Sequence, residues 1–194
     1  MLWILIILAI VLLYLATVYN SLVSQKTHIK ASIQEIGNQL KRQADLIPNL
    51  ESSAQGYLKH EKDILRLLAE ARKSVQSAVN SGNLKSLSDA GDKVAQLLPK
   101  IQVVMESNPQ LKGADVITNL MDELRDTSDK VMYARRTLID LTADYNIKIS
   151  VFPSNLVANL FHFGPEAGLQ TPTDGNFLQV SDSDTQTPKV AFKS

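Results

Sequence analysis

Apolar positions divide the chain into one unbroken block followed by several interrupted stripes. Residues 2–19 read LWILIILAIVLLYLATVY, with no charge, no Gly and no Pro, and the first ionised side chain is Lys26. At ~1.5 Å rise per residue the block makes a helix of ~27 Å, close to the ~30 Å hydrocarbon core of a bilayer. The pattern predicts a membrane-spanning helix, with Leu2 and Trp3 near one interface and Tyr14 and Tyr19 near the other. A cleaved signal peptide fits less well. Only Met1 precedes the block, and Ala16-Thr17-Val18 makes a poor cleavage site. A buried core helix of this length would carry a polar face.

The stripes that follow have helical spacing. Leu22, Ile29, Ile33, Ile36 and Leu40 form a seam at the period of bundle packing. That helix is expected to end near Ile47, because Pro48 disfavours a helical predecessor. Arg42, Asp45, Pro48 and Asn49 then form a structural turn, with Asp45 or Asn49 capping a second helix. The second seam runs Leu50, Ala54, Tyr57, Glu61, Ile64, Leu68, Ala71, Val75 and Ala78, and Gly82 suits its C-terminal end. Glu61 is the charged residue on this seam. It is either a carboxylate paired with a base across the bundle or a polar site inside it.

A third helix is expected over 84–106, with Leu84, Leu87, Gly91, Val94, Leu98, Ile101 and Met105 inward. Pro99 should kink or split it. A fourth runs from 114 to about 152, with Ile117, Leu120, Leu124, Thr127, Val131, Ala134, Leu138, Leu141, Tyr145 and Phe152 inward. Asp122 with Arg125, and Asp126 with Lys130, have the spacing of surface pairs, and Arg135-Arg136 reads as a solvated face. No strand pattern interrupts the helices.

The fold class that follows is all-α: a transmembrane helix (1–19) continuing into an antiparallel up-down four-helix bundle (20–163) and a disordered C-terminal tail (164–194). Counting helices out and back places Pro48 and Pro109 at the far end, and Gly82 and Phe152 near the lipid. The residues after Pro153 are short-range apolar and aromatic. Phe152, Leu156, Leu160, Phe161 and Phe163 are candidates for contact with the bundle base, a neighbouring subunit or the membrane interface.

Charge then sets a direction. Lys26, Lys30, Lys41 and Arg42 follow the block with only Glu35 among them, so the positive-inside rule puts the N-terminus outside and the bundle and C-terminus in the cytoplasm. The whole chain carries 20 basic and 20 acidic residues, which gives no basic face for nucleic acid. Without Cys it has no disulfide, thiolate nucleophile or common zinc site. His28, His60 and His162 lack ligand spacing, and there is no Gly-rich phosphate loop, GxSxG or HExxH. No cofactor, metal or small-molecule substrate is therefore expected.

Several stretches resemble the LemA family. They are Tyr19-Asn20-Ser21-Leu22-Val23, the run Leu40-Lys41-Arg42-Gln43-Ala44-Asp45-Leu46-Ile47-Pro48-Asn49-Leu50, His60-Glu61, Ala71-Arg72 and Asn108-Pro109-Gln110-Leu111-Lys112. Thr127, Asp129-Lys130, Ala134-Arg135-Arg136, Tyr145-Asn146 and Phe152-Pro153-Ser154-Asn155 continue the set in order. The resemblance implies a bacterial inner-membrane protein with one N-terminal span and an antiparallel helical bundle, and it implies no catalytic residues. The reading is a membrane-anchored, non-enzymatic scaffold whose partners are the lipid bilayer and a second copy or another protein. The alternative is a membrane-shaping or membrane-stress module acting through residues 156–163. A third reading, an enzyme or ligand carrier, needs a site around Glu61.

Overall fold

The computed structural model describes residues 1–57, 61–108 and 114–169. Among them are five helices and no strand: α1 (Leu2–Ala54), α2 (Lys62–Ser81), α3 (Leu84–Ser107), α4 (Asp115–Ser150) and α5 (Ser154–Leu160). The connections at 58–60 and 109–113, Pro109 included, and the tail from residue 170 lie outside the described residues.

The apolar block and the first seam form one helix. α1 has 53 residues, ~80 Å by helical rise. It does not end at Ile47. Pro48 lies inside it, so Arg42, Asp45, Pro48 and Asn49 are helical positions and not a turn. The physical reason is the packing on both sides of the proline. Ile47, Leu50 and Ala54 are all buried. Burying each of the two larger side chains is worth ~1.5–3 kcal/mol, together enough to offset the ~3 kcal/mol that an interior proline costs. Asp45 does not brace Arg42, whose guanidinium pairs with Glu123 of α4 instead.

The second helix accordingly starts at Lys62 and not at Leu50. Ile64, Leu68, Ala71, Val75 and Ala78 are its buried stripe, as the spacing predicts. Tyr57 and Glu61 fall off that stripe, because they belong to the connection after α1, and both are exposed. Gly82 ends α2 in the left-handed region at φ 61°, its N–H donating to the Ala78 carbonyl. The Asn83 side chain then caps α3, accepting from the backbone N–H of Lys85 and Ser86 at 2.9 and 3.3 Å. α3 passes through Pro99, which faces solvent, without splitting.

α1 and α4 form the spine. Lys148 donates to Ser21, Ser32 donates to the Ala134 carbonyl at 2.9 Å, and Arg42 pairs with Glu123. Residue numbers thus fall along α4 as they rise along α1. α2 lies on α1, with Arg72 near Glu51 at 3.8 Å. α3 lies on α4, where Arg135 pairs with Asp92 and Arg125 donates to Gln102 at 3.0 Å. Arg135 is therefore an interhelical tie, while Arg136 is exposed. At Gly91 the helices meet closely: a Cβ there would sit 2.9 Å from Val131 Cγ1. The Asp122–Arg125 and Asp126–Lys130 surface pairs form as their spacing suggests.

α2 is too short to return to the apolar block. Its 20 residues cover ~30 Å, whereas α1 from residue 20 to its end covers ~52 Å. Gly82 stops beside Ile33, Gly37 and Lys41 of α1 and is not near the apolar block, where it was expected. The molecule thus has a head, made of α2, α3 and the distal parts of α1 and α4. It also has a root, made of residues 15–29, 138–150, α5 and the chain after it. Gln43 is fully buried in the head with no hydrogen-bond partner for its amide among the described residues.

Candidate functional site

The site is built where the apolar block meets the root. Residues 1–14 are all exposed, Leu2 and Trp3 at 70% and 76%. Packing starts at Leu15, and Val18 and Leu22 are buried. Tyr14 and Tyr19 straddle this change and are both about two-fifths exposed, at 39%. Among the described residues α1 is the one helix long and apolar enough to cross a membrane.

Pro153 halts α4, and the chain turns back as α5. Ser154 fixes that turn: its hydroxyl has one proton, which it donates to the Lys148 carbonyl at 2.6 Å or shares with the Val151 carbonyl at 3.0 Å. Ser154, Val157 and Ala158 are buried. Phe161 and Phe163 meet Tyr19 edge-on, with ring centroids at 4.8 and 5.6 Å. Such pairs add ~0.5–1.5 kcal/mol each beyond their buried area. The opposite face of α5 is bare: Phe152, Leu156 and Leu160 are 79%, 60% and 61% exposed. Phe152 was expected on the inward seam. It lies outward because α4 ends at Ser150, so the helical period no longer governs it.

After a turn at His162, with φ 56°, the chain runs back along the spine as a strap. The Tyr145 hydroxyl donates to the Gly164 carbonyl at 3.0 Å. Asn146 holds the backbone of Glu166 twice, donating to its carbonyl at 2.9 Å and accepting from its N–H at 3.0 Å. Lys26 pairs with Glu166 at 2.7 Å. That hydrogen bond and the charge of Glu166 raise the Lys26 pKa above its usual value, against a smaller loss from burial. Burial pushes the Tyr145 phenol up, and nearby Lys26 opposes that shift. Gly168 lies against Thr142, where a Cβ would be 3.1 Å from Thr142 Cγ2. Leu169 packs on the core. Residues 164–169, read from sequence as the start of a free tail, are thus a fitted strap.

Of the sequence candidates, the structure joins Tyr19, Phe161 and Phe163 directly and sets Phe152, Leu156 and Leu160 beside them. It leaves Leu2, Trp3 and Tyr14 farther along α1, and puts Arg42, Asp45, Pro48 and Asn49 in the head. Glu61 is exposed at the start of α2, so it forms no polar site inside the bundle. The strap has no period by which a sequence pattern could show it. Its anchor Tyr145-Asn146 was visible only as a matched pair of residues.

Among the described residues these features define an all-helical protein, with a packed head and one helix whose bare apolar start is long enough to cross a membrane. No curated protein matches the chain. The sequence matches the LemA family over residues 32–192, and the chain belongs to that family. The match includes the strap and runs beyond the described residues.

Proposed function

We propose that this chain is a non-enzymatic scaffold anchored in the bacterial cytoplasmic membrane. Residues 2–19 cross the bilayer with the N-terminus outside, and α1 to α4 form an antiparallel up-down bundle in the cytoplasm that binds a second copy or another protein. The observation that carries this reading is the bare start of α1. Among the described residues nothing covers its apolar residues 2–14, yet the same helix continues without a break into the core. Exposed apolar surface of this extent needs a cover, and lipid fits its length. The opposed residue numbering along α1 and α4 supports the up-down arrangement, and Lys26, Lys30, Lys41 and Arg42 support the orientation.

Alkaline extraction of cell membranes tests the anchor. The full chain stays in the pellet and a chain lacking residues 2–19 leaves it; recovery of the full chain in the supernatant contradicts the reading. Crosslinking in native membranes at ordinary abundance tests self-association, and monomers alone would remove that part.

A further inference from the structure

We propose that the outward face of α5, formed by Leu156 and Leu160 with Phe152 just before it, lies in the interfacial layer of the bilayer that α1 enters. It makes a second lipid contact beside the span. The inference rests on the reading of residues 2–19 as a membrane span.

Register carries it. α5 docks on the last turn of the apolar block, since Tyr19 belongs to that block and touches both Phe161 and Phe163. Val18, one residue earlier, is already buried. Where the block ends at the lipid boundary, α5 is therefore at the same boundary. The face has the chemistry of that layer. Leu156 and Leu160 are four residues apart, so they share one side of the short helix, and Phe152, just before it, is exposed as well. Ser154, Val157 and Ala158 occupy the side that meets the protein. Apolar side chains on a helix lying along the membrane plane bind in this way.

The face is also held in place before lipid arrives. Ser154 ties α5 to the end of α4, and the two ring contacts tie it to α1. Little further ordering is needed on binding, which favours contact. Lipid is the occupant because the bare apolar stretch 1–14 lies on the same helix, within two turns of the Tyr19 on which α5 docks. Acyl chains that cover it already surround this level. A second copy would have to displace them.

The chain has one tryptophan, Trp3, and it supplies an internal control. The full chain is reconstituted into phosphatidylcholine and phosphatidylglycerol vesicles containing lipid brominated at shallow or deep acyl carbons. In a Trp3→Phe background, Leu156→Trp, Leu160→Trp and Tyr133→Trp are compared at equal helix content. Tyr133 is 74% exposed on the head. Leu156→Trp and Leu160→Trp should lose most of their emission to shallow bromine and less to deep bromine, while Tyr133→Trp is untouched. Emission at both α5 positions as water-exposed as that of Tyr133→Trp overturns the proposal. Blue-shifted emission that bromine does not quench also overturns it, and assigns the face to a second copy. Trp3 of the unaltered chain separates the two ideas. Trp3 quenched with both α5 positions unquenched removes this proposal alone. Trp3 unquenched removes the membrane span and this inference with it.

Discussion

The head and the root use the same two helices, α1 and α4, but hold them differently. In the head, four helical stretches bury apolar stripes against one another, with Leu40, Leu68, Val94 and Leu124 nearly inaccessible to solvent. Among the described residues the root has two long helices, and a two-helix pair cannot enclose a core. The missing layers are supplied by a seven-residue helix and an extended strap. The strap is fastened by side chains that bond its backbone, and α5 by rings packed on Tyr19. Repetition holds the head and particular contacts hold the root. Each region should therefore fail in its own way.

The largest effect is expected from removing a stripe residue in the head. Leu124→Ala should destabilise the chain by ~2–5 kcal/mol, the cost of lost burial plus the cavity left behind. Denaturant unfolding in detergent measures it, and a loss below ~1 kcal/mol would mean that the site collapses or is not packed as described. Next comes the close crossing of α3 and α4. Gly91→Ala places a methyl against Val131 and should cost ~1–3 kcal/mol by overpacking. Adding Val131→Ala should recover part of that loss, so the pair is non-additive. Two independent losses would show that the helices do not meet there.

Root changes are smaller and local. Tyr145→Phe removes the hydrogen bond to the Gly164 carbonyl and should cost ~1 kcal/mol. Amide exchange at 164–169 should quicken while α2 and α3 stay protected. Quickening throughout the chain would mean that root and head are one unit. The smallest effect is electrostatic. Lys26 has a raised folded pKa, so its contribution is present below the ordinary lysine value of about 10.4 and fades as pH rises through the folded pKa. Lys26 is about half exposed and Glu166 less so, and solvent screening keeps the pair's worth within ~0–1 kcal/mol. The melting difference between the wild type and Lys26→Met should be small at neutral pH and vanish at strongly alkaline pH. A difference that widens with pH has the wrong sign for this pair.

The same contrast explains how far the chain could be read without its structure. Head stripes were legible because a helix repeats. Ile64, Leu68, Ala71, Val75 and Ala78 are buried as their spacing indicates, and Gly82 caps α2 as a glycine should. Boundaries governed by one residue were not. The local preference of Pro48 marks a helix end, but the packing of Ile47 and Leu50 overrides it, and α2 starts about a dozen residues later than that preference implies. The shortfall of α2 follows from that shift, because a shorter helix cannot bring Gly82 back to the lipid end. In the root, the apolar nature of 152–163 was visible, but not its division into a packed side and a bare side. The strap, Gly-Pro-Glu-Ala-Gly-Leu, is aperiodic and rich in glycine and proline, so composition alone makes it look free. Its order comes from Tyr145, Asn146 and Lys26, which lie far from it in sequence.

The central claim is that α1 is one rod, lipid-covered at its start and protein-covered beyond Leu15. The absence of native cysteine makes single-cysteine labelling along α1 its most direct measurement. Leu8→Cys in native membranes should resist a membrane-impermeant maleimide before and after permeabilisation, whereas Ser24→Cys and Asn38→Cys should react only once the cytoplasmic side is opened. Reaction of Leu8→Cys in intact membranes, or a mature chain found without residues 1–19, would contradict the account.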